Sequence, residues 1–361
     1  MQRVFLKFSG LISSAFISSL CVSQAWAANT PKLPSLDDLA GTNQPNIVVI
    51  LTDDHGWPDV GAQGILKDIK TPYTDKLAAG GVRFTSGYST AAQCRPARAG
   101  IVTGRYQNKF GLVNNKTFAL PWSEKTMAER LRDAGYMTGM SGKWHLAGHV
   151  DTYGKLSDGS DAGKVSRKEY INRARQDNYR GTSPGQPGFH GFTEYFSGLK
   201  NHYTASHSIE GKDLNGPVAI HDNRYRVDLQ ADWAINFLKR HAKNKAPFFL
   251  YASLYAPHVP LEAPQKYLDR FPGEMPERRR LALAMISSMD DAVGRIVKTL
   301  EEEGVRENTL IVYLSDNGAP LKMHKIDAAT TVPGGWTGSL NHPMVGEKGM
   351  VTDGGIRVPF I

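Results

Sequence analysis

The chain has 361 residues, of which 40% are hydrophobic and 22% are charged. This composition excludes collagen-like, low-complexity and disordered proteins, and the length allows one large domain or two smaller ones. The formal net charge of +8 favours an anionic partner, but an excess of surface lysine without a specific partner explains the charge equally well.

Residues 1–27 predict a signal peptide. Arg3 and Lys7 precede a short apolar run, and the sequence AWA at 25–27 is typical of a cleavage site. The apolar run is too short to span a bilayer as a permanent helix. We therefore expect an exported protein, located in a bacterial periplasm or secreted, with no membrane anchor.

The remaining chain divides into a polar lead-in over 28–45 and one domain over 46–361. An internal disulfide is excluded, because Cys21 falls within the predicted signal peptide and Cys94 has no other cysteine to pair with. The sequence stops at GGIRVPFI, which is typical of the middle of a strand. We therefore expect the natural chain to continue beyond this sequence.

Short apolar runs that end in polar turns predict strands buried on both faces of a parallel sheet. Two helices are predicted, one over 124–134 and one in which apolar side chains recur three and four apart from Ile286 to Leu300. Strands that alternate with helices indicate an α/β fold with a mainly parallel central sheet flanked by helices. Residues 151–223 have weak periodicity, and we expect a long loop region there, at the entrance to a site. The predicted strands are 47–51, a short one before Ser141, 248–257 and 310–314.

Polar side chains follow these strands, at the edge where a parallel sheet binds its ligands. Asp53 and Asp54 follow the first strand, and Asp316 and Asn317 follow the last. Each pair alone is more typical of a turn or a helix cap. Together they supply carboxylates and an amide oxygen, which suit Ca²⁺ or Mg²⁺ rather than zinc. The other strand ends add three further candidates, His258, Lys143 and His145.

Cys94 has two interpretations from its own surroundings. A free cysteine is usually a small buried hydrophobic residue. However, Arg95, Arg98 and a predicted helix start at Cys94 would lower the pKa of its thiol, which favours a thiolate nucleophile with His145 or His258 as the base. Both interpretations remain open at this point.

The motif around Cys94 resembles a known family. Cys94-Arg95-Pro96-Ala97-Arg98, continued by AGIVTGRY, is similar to the C-x-P-x-R element of the type I sulfatases, the formylglycine-dependent, arylsulfatase-like branch of the alkaline phosphatase superfamily. The resemblance spans residues 46–361 and implies the N-terminal sulfatase domain of that superfamily, with a C-terminal subdomain missing from this chain. Further blocks agree in order: NIVVILTDDHGWPDVGAQG, TPYTDKLAAGGVRFTSGY, SGKWHLAGH, APHVPLEAP, LSDNGAP and GEKGMVTDGGIRVPF.

The resemblance also implies a chemistry. In that family a maturation enzyme oxidises the motif cysteine to formylglycine, whose hydrated aldehyde attacks the sulfate ester; this role falls to Cys94, with Arg98 holding the modified residue. Asp316 would accept the proton of the attacking hydroxyl, His258 would protonate the departing alcohol, and His145 would take a proton from the second hydroxyl. The implied Ca²⁺ ligands are Asp53, Asp54, Asp316, Asn317 and the modified Cys94. The implied sulfate-binding residues are Lys143, His258 and Lys348.

Some positions depart from the family pattern. Ala97 stands where serine is commonest, and Asp353 stands where glutamate is frequent. The long interval between Asn317 and Lys348 contains GGWTGSLNHP, which resembles the bacterial members that act on polysaccharides. Within LKNHYTASH, His202 is a candidate for contacting the sugar.

The expected function is hydrolysis of sulfate monoesters on a sulfated oligosaccharide or polysaccharide, with no nucleic-acid partner. One alternative is a phosphonate or phosphate monoester hydrolase of the same superfamily. Another is a non-catalytic, calcium-dependent binder of anionic glycans. The third is a hydrolase that uses the thiol directly, which predicts alkylation by thiol reagents.

Overall fold

The structure is a computed structural model that describes residues 44–116, 119–147, 185–244, 246–321 and 336–361. The predicted signal peptide and most of the lead-in lie outside these residues. The strands are β1 (Asn46–Asp53), β2 (Met137–Gly142), β3 (Glu194–Gly198), β4 (His202–His207), β5 (Asp213–His221), β6 (Phe248–Pro257) and β7 (Thr309–Ser315). The α-helices are α1 (Pro72–Gly80), α2 (Cys94–Thr103), α3 (Met127–Asp133), α4 (Arg226–His241), α5 (Gln265–Leu268), α6 (Glu277–Glu302) and α7 (Asp353–Ile356).

The described strands form one sheet in the order β5-β4-β3-β2-β6-β1-β7. Five neighbouring strands of this sheet are parallel to one another: β3, β2, β6, β1 and β7. β4 and β5 extend the sheet as an antiparallel hairpin. The prediction of an α/β fold with a mainly parallel sheet is therefore confirmed, and the carboxyl ends of β1, β2, β6 and β7 share one edge.

Apolar side chains cover both faces of the sheet, because successive strand residues point to opposite sides. Val48 and Ile50 pack on the face covered by α4 and α6. Val49 and Leu51 pack on the other face, against α2 and α3. This double burial explains why β1 and β6 read as continuous apolar runs in the sequence.

Helix α3 begins three residues later than predicted, at Met127. The Thr126 hydroxyl accepts a hydrogen bond from the backbone N–H of Glu129 at 3.1 Å, and the Glu129 carboxylate accepts one from the N–H of Thr126 at 2.9 Å. This reciprocal cap satisfies two donors that a helix end otherwise leaves unpaired. The predicted helix around residues 286–300 is confirmed as part of α6.

The prediction of a loop over 151–223 is wrong for its C-terminal part, where β3, β4 and β5 lie. Residues 148–184 lie outside the described residues. β4 and β5 are only partly buried, and β3 is buried but just five residues long, so the apolar pattern of this segment is weak. Their pairing depends on contacts such as the stacking of Phe196 on Tyr203, with ring centroids 4.2 Å apart.

The last residues also differ from the predicted strand. Residues 353–356 form the short helix α7, and Phe360 makes a single antiparallel bridge to Leu314. Among the described residues, no helix is long and apolar enough to cross a membrane.

Candidate active site

Four strand ends bring charged side chains together at one edge of the sheet. Asp53 is the last residue of β1, and Asp54 follows it with a φ of 61°. Thr52 pairs with Ser315 on β7, so Asp316 lies beside the two aspartates. The backbone N–H of Asp54 donates to Asp316 Oδ1 at 3.2 Å. All three carboxylates are almost completely buried.

Two lysines neutralise part of this buried charge. Lys143 follows β2, and its Nζ lies 2.5 Å from Asp53 Oδ2. Lys348 lies in the segment before α7, and its Nζ lies 2.6 Å from Asp54 Oδ1. Both lysines are buried, and the neighbouring carboxylates overcome the effect of burial and raise their pKa values.

The guanidinium of Arg98 contacts the cluster formed by Asp53, Asp54, Asp316, Lys143 and Lys348. Arg98 lies on the second turn of α2 and is 1% exposed. Its Nε donates to Asp316 Oδ2 at 2.8 Å, and its Nη2 lies 3.6 Å from Asp53 Oδ1. Its Nη1 donates to the Lys143 carbonyl and the Ser253 hydroxyl. One guanidinium therefore fixes the ends of β1, β2, β6 and β7 relative to one another.

The carboxylates differ in protonation. Burial favours the neutral acid of Asp53, but Lys143 and other nearby cations hold the pKa of its carboxyl well below the usual value. Burial also favours the neutral acid of Asp54, but the charge of Lys348 lowers its pKa. Burial and the charge of Asp53 raise the pKa of Asp316 to about 7, despite its contact with Arg98. Of these three carboxyl groups, Asp316 therefore has the pKa nearest to neutral pH.

Cys94 begins α2, with its Sγ 3.4 Å from Asp53 Oδ1 and 3.6 Å from Asp54 Oδ1. The expectation that nearby arginines lower the pKa of its thiol is wrong. Burial and the charge of Asp316 raise that pKa above its usual value, and they outweigh the opposing charges of Lys143 and Lys348. The thiol is therefore neutral, which opposes its direct use as a thiolate nucleophile.

His258 follows β6 and faces the cluster through Nε2, 3.6 Å from Asp54 Oδ2. Its Nδ1 bonds to the carbonyl of Val259 at 2.7 Å. Burial lowers its pKa to about 4. The hydrogen bond at Nδ1 fixes the ring, so Nε2 is the atom that can exchange a proton at the site.

Tyr255 is a residue of this site that the sequence analysis missed. Its hydroxyl donates to the same Val259 carbonyl at 2.9 Å, and its ring centroid lies 5.0 Å from that of His258. The Nζ of Lys143 lies 5.4 Å from the Tyr255 ring. An aromatic residue on the strand that leads to His258 is a weak signal in sequence, because buried strands contain many aromatic residues.

His145 lies beyond β2 with a φ of 61°. Its Nδ1 is buried and has no hydrogen-bond partner. Burial and the charges of Lys143 and Arg98 lower its pKa to about 2, so the ring is neutral and can accept a proton. His202 is not part of this cluster; it begins β4 and is exposed.

The donors at the site fit a hard divalent cation. Ligand atoms of Asp53, Asp54, Cys94 and His258 lie within 4.8 Å of one another. Asn317 donates through Nδ2 to Asp54 Oδ1 at 2.7 Å, while its Oδ1 is buried without a partner. A half-turn of this amide places its oxygen beside Asp54. Oxygen-rich, carboxylate-dominated donor sets suit Ca²⁺.

The sequence model of the Sulfatase family matches residues 45–361. The chain belongs to the sulfatase family. The matched range includes every strand and helix described above and every residue of the cluster.

Similar proteins agree with this membership. Arylsulfatase J of Mus musculus is 31% identical over 331 residues, and N-acetylgalactosamine-6-sulfatase of Canis lupus familiaris is 32% identical over 339 residues. These alignments cover 88% and 89% of this chain but 48% and 58% of the relatives, so the chain spans about half the length of the curated relatives it matches. The crystal structure of Ps i-CgsB in complex with k-i-k-neocarrahexaose has 28% identity and a TM-score of 0.68, covering 88% of this chain and 65% of that one.

Proposed function

We propose that the protein hydrolyses sulfate monoesters, with a formylglycine made from Cys94 and with Ca²⁺ at the carboxylate cluster. The observation that carries this proposal is the convergence of Asp53, Asp54, Lys143 and Lys348 on the neutral, buried Cys94 at the start of α2. A buried thiol with a raised pKa is a poor nucleophile, and its position in a charged site supports the proposal that it is a precursor. The hydrated aldehyde would supply one hydroxyl to attack sulfur and a second whose deprotonation releases sulfate.

The cations of the cluster would bind the substrate. A sulfate ester carries negative oxygens, which Lys143 and Lys348 would hold through charge-assisted hydrogen bonds. Asp53, Asp54, Asp316 and Asn317 would hold Ca²⁺, which adds positive charge beside the sulfate. Arg98 would keep the ends of the strands in place during the reaction.

Three groups would move protons. Asp316, whose pKa is raised to about 7, would accept a proton from the attacking hydroxyl. His258 would exchange its proton at Nε2, because Nδ1 donates to the Val259 carbonyl. Its lowered pKa leaves Nε2 of the free ring unprotonated, so the ring would take a proton there when the anionic substrate binds and then pass it to the departing alcohol. His145 would accept a proton from the second hydroxyl at Nδ1, which has no partner. Its low pKa keeps the free ring neutral but makes it a weak base, so the negative charge of the bound sulfate would have to raise that pKa for the transfer.

The proposed substrate is a sulfated oligosaccharide or polysaccharide. The chain keeps a net charge of +6 (8 − 2) after loss of Arg3 and Lys7 with residues 1–27. This positive charge, the similarity to N-acetylgalactosamine-6-sulfatases and the similarity to a structure that holds k-i-k-neocarrahexaose support this class. The proposal includes export to a periplasm or secretion, and a maturation enzyme as the partner that converts Cys94.

The mass of the peptide that contains Cys94, from active full-length protein, tests the mechanism. We expect the mass of the aldehyde. An intact thiol in active protein would overturn the formylglycine mechanism and revive the thiolate alternative.

Matched sulfate, phosphate and phosphonate esters test the reaction class. We expect sulfate release with the highest kcat/KM. Faster phosphate or phosphonate hydrolysis would favour the related monoester hydrolases, and glycan binding without turnover would favour a non-catalytic binder.

A further inference from the structure

Two histidines lie on the same edge of the sheet as the proposed active site. β3 runs parallel to β2 with Ser197 beside Gly142, and Lys143 directly follows Gly142. The turn after β3 leads back into β4, which begins at His202. His202 pairs with His221, the last residue of β5. The β4–β5 end of the sheet therefore continues the edge on which Lys143 lies.

The side chains of these histidines also point to the face on which Cys94 lies. Tyr203 and Ile220 pair with each other and pack on the face covered by α4 and α6. Because strand residues alternate between faces, His202 and His221 point to the opposite face. That face is covered by α2, which begins at Cys94.

Hydrogen bonds and ring packing hold the two imidazoles in place although both are exposed. Their ring centroids lie 4.7 Å apart in an edge-to-face arrangement. Asn201 donates from Nδ2 to His221 Nε2 at 3.1 Å and to Asn223 Oδ1 at 3.0 Å. The backbone N–H of Asp222 donates to the Asn201 carbonyl at 3.0 Å. These contacts form a small, preorganised polar surface, which reduces the entropy lost on binding.

The spacing of the strands gives the distance between this surface and the proposed active site. Neighbouring strands lie about 4.8 Å apart, so along the edge β4 lies roughly 10 Å from β2, which leads to Lys143, and roughly 19 Å from β1, which ends at Asp53 beside Cys94. A ligand that reaches both the cluster and the histidines must therefore be longer than a monosaccharide. Lys200, which is exposed in the turn before His202, adds a positive charge beside this path.

We propose that His202, His221 and Asn201 bind sugar residues of a sulfated oligosaccharide beyond the residue whose sulfate lies at Cys94. The His221 ring offers Nδ1 and the Asn201 amide offers its oxygen, since His221 Nε2 and Asn201 Nδ2 bond to each other, and His202 adds its own ring nitrogens. Such donors and acceptors match the hydroxyl groups of a sugar. This inference rests on the proposed function, because it takes Cys94 as the point where the ester reacts. It assigns to the β4–β5 hairpin the recognition of chain length.

The test compares substrates of different length with the full-length protein. The substrates are 4-nitrophenyl sulfate and di- and hexasaccharides prepared from carrageenan and from chondroitin sulfate. The double variant His202→Ala/His221→Ala should lower kcat/KM for the hexasaccharide by about tenfold or more, mainly through KM, since about two hydrogen-bonded contacts are lost. Its kcat/KM for 4-nitrophenyl sulfate should stay within about twofold of the wild type, because that substrate does not reach the hairpin.

A matched control is Lys212→Ala, which removes an exposed charge from the opposite end of the same hairpin. It should leave kcat/KM unchanged for every substrate. The double variant His202→Gln/His221→Gln should be more active on the hexasaccharide than the alanine double variant, because glutamine can still form hydrogen bonds. If the alanine double variant loses kcat/KM equally on all substrates, or loses none on the hexasaccharide, the inference is overturned. If the wild type releases sulfate from none of the substrates, the proposed function fails instead. Calorimetric titration with the hexasaccharides then still tests the surface, since weaker binding by the alanine double variant supports it and equal or absent binding overturns it.

Discussion

Two groups of side chains at the carboxyl edge of the parallel strands differ in burial: the charged residues around Cys94 and the histidines of the β4–β5 hairpin. Around Cys94 three carboxylates, two lysines and one arginine are almost completely buried and neutralise one another. At the β4–β5 hairpin, His202 and His221 are exposed and are held by a few hydrogen bonds. Buried charges are costly unless each has a partner, so a substitution around Cys94 disturbs several groups together. Exposed polar residues such as His202 and His221 can be substituted without unfolding the protein, so the β4–β5 hairpin suits substrate selection.

The largest expected effect is at Cys94. Cys94→Ala should lower kcat/KM for every sulfate ester by at least about a thousandfold, because it removes the precursor of the nucleophile. Sulfate release, measured alongside the melting temperature, checks this. Cys94→Ser is the control, since serine cannot be oxidised by a cysteine-specific maturation step, and near-normal activity of either variant would contradict the mechanism.

Loss of the Arg98 guanidinium should cost about 3 to 5 kcal/mol of unfolding free energy, because Arg98→Met leaves Asp53 and Asp316 buried with fewer compensating charges. Urea unfolding curves measure this cost. Arg98→Lys keeps the charge but not the fork of donors, so an intermediate loss is expected. A loss below about 1 kcal/mol for Arg98→Met would show that the cluster does not depend on this ion pair.

Calcium should stabilise the folded protein if the carboxylate cluster binds it. At a free concentration one hundred times the Kd, one site adds about 2.7 kcal/mol to the unfolding free energy. Melting curves of chelator-treated protein, with and without added Ca²⁺, provide the measurement. The same curves for Asp54→Asn should show a smaller shift, and an identical shift in both proteins would place the ion elsewhere.

A buried ion pair away from Cys94 provides a comparison in pH dependence. Burial alone would raise the pKa of Glu194, but hydrogen bonds from His241 and Arg240 hold it at about 2. A folded-state pKa below the unfolded value of about 4.3 stabilises the protein above that pH, and the stabilisation is lost as pH falls toward 2. Glu194→Gln should therefore cost about 1 to 3 kcal/mol at pH 7. Unfolding curves from pH 7 to pH 3 should show this gap narrowing below about pH 4.5, and a constant gap would contradict the ion-pair explanation.

The smallest effect is expected at Tyr255. Tyr255→Phe keeps the ring beside His258 but removes the hydrogen bond to the Val259 carbonyl, so kcat for a sugar sulfate should fall about three- to tenfold. An aryl sulfate, whose alcohol leaves without protonation, should be affected less. Equal losses on both substrates would mean that Tyr255 does not act through protonation of the departing alcohol.

Much of the fold and of the candidate site could be predicted from the sequence. The apolar runs of β1 and β6 are strong signals because both faces of these parallel strands are buried. β7 also has an apolar run although it is a half-buried edge strand, and the side chains that follow the parallel strands must meet at one edge. The hairpin of β4 and β5 gave a weak signal, since an edge hairpin with one exposed face does not need a continuous apolar pattern.

The sequence by itself determined the α/β class, the family motif at Cys94 and the identity of the side chains at the strand ends. Only the tertiary structure decided the electrostatics, because a pKa depends on which neighbours a side chain faces. Arg98 is four residues from Cys94 in the chain, yet its guanidinium contacts Asp53 and Asp316. Burial and the charge of Asp316 raise the pKa of the Cys94 thiol, which the sequence did not indicate. Tyr255, His202 and His221 likewise acquired their positions from the sheet, since pairing and burial bring together residues whose separation in sequence carries no such information.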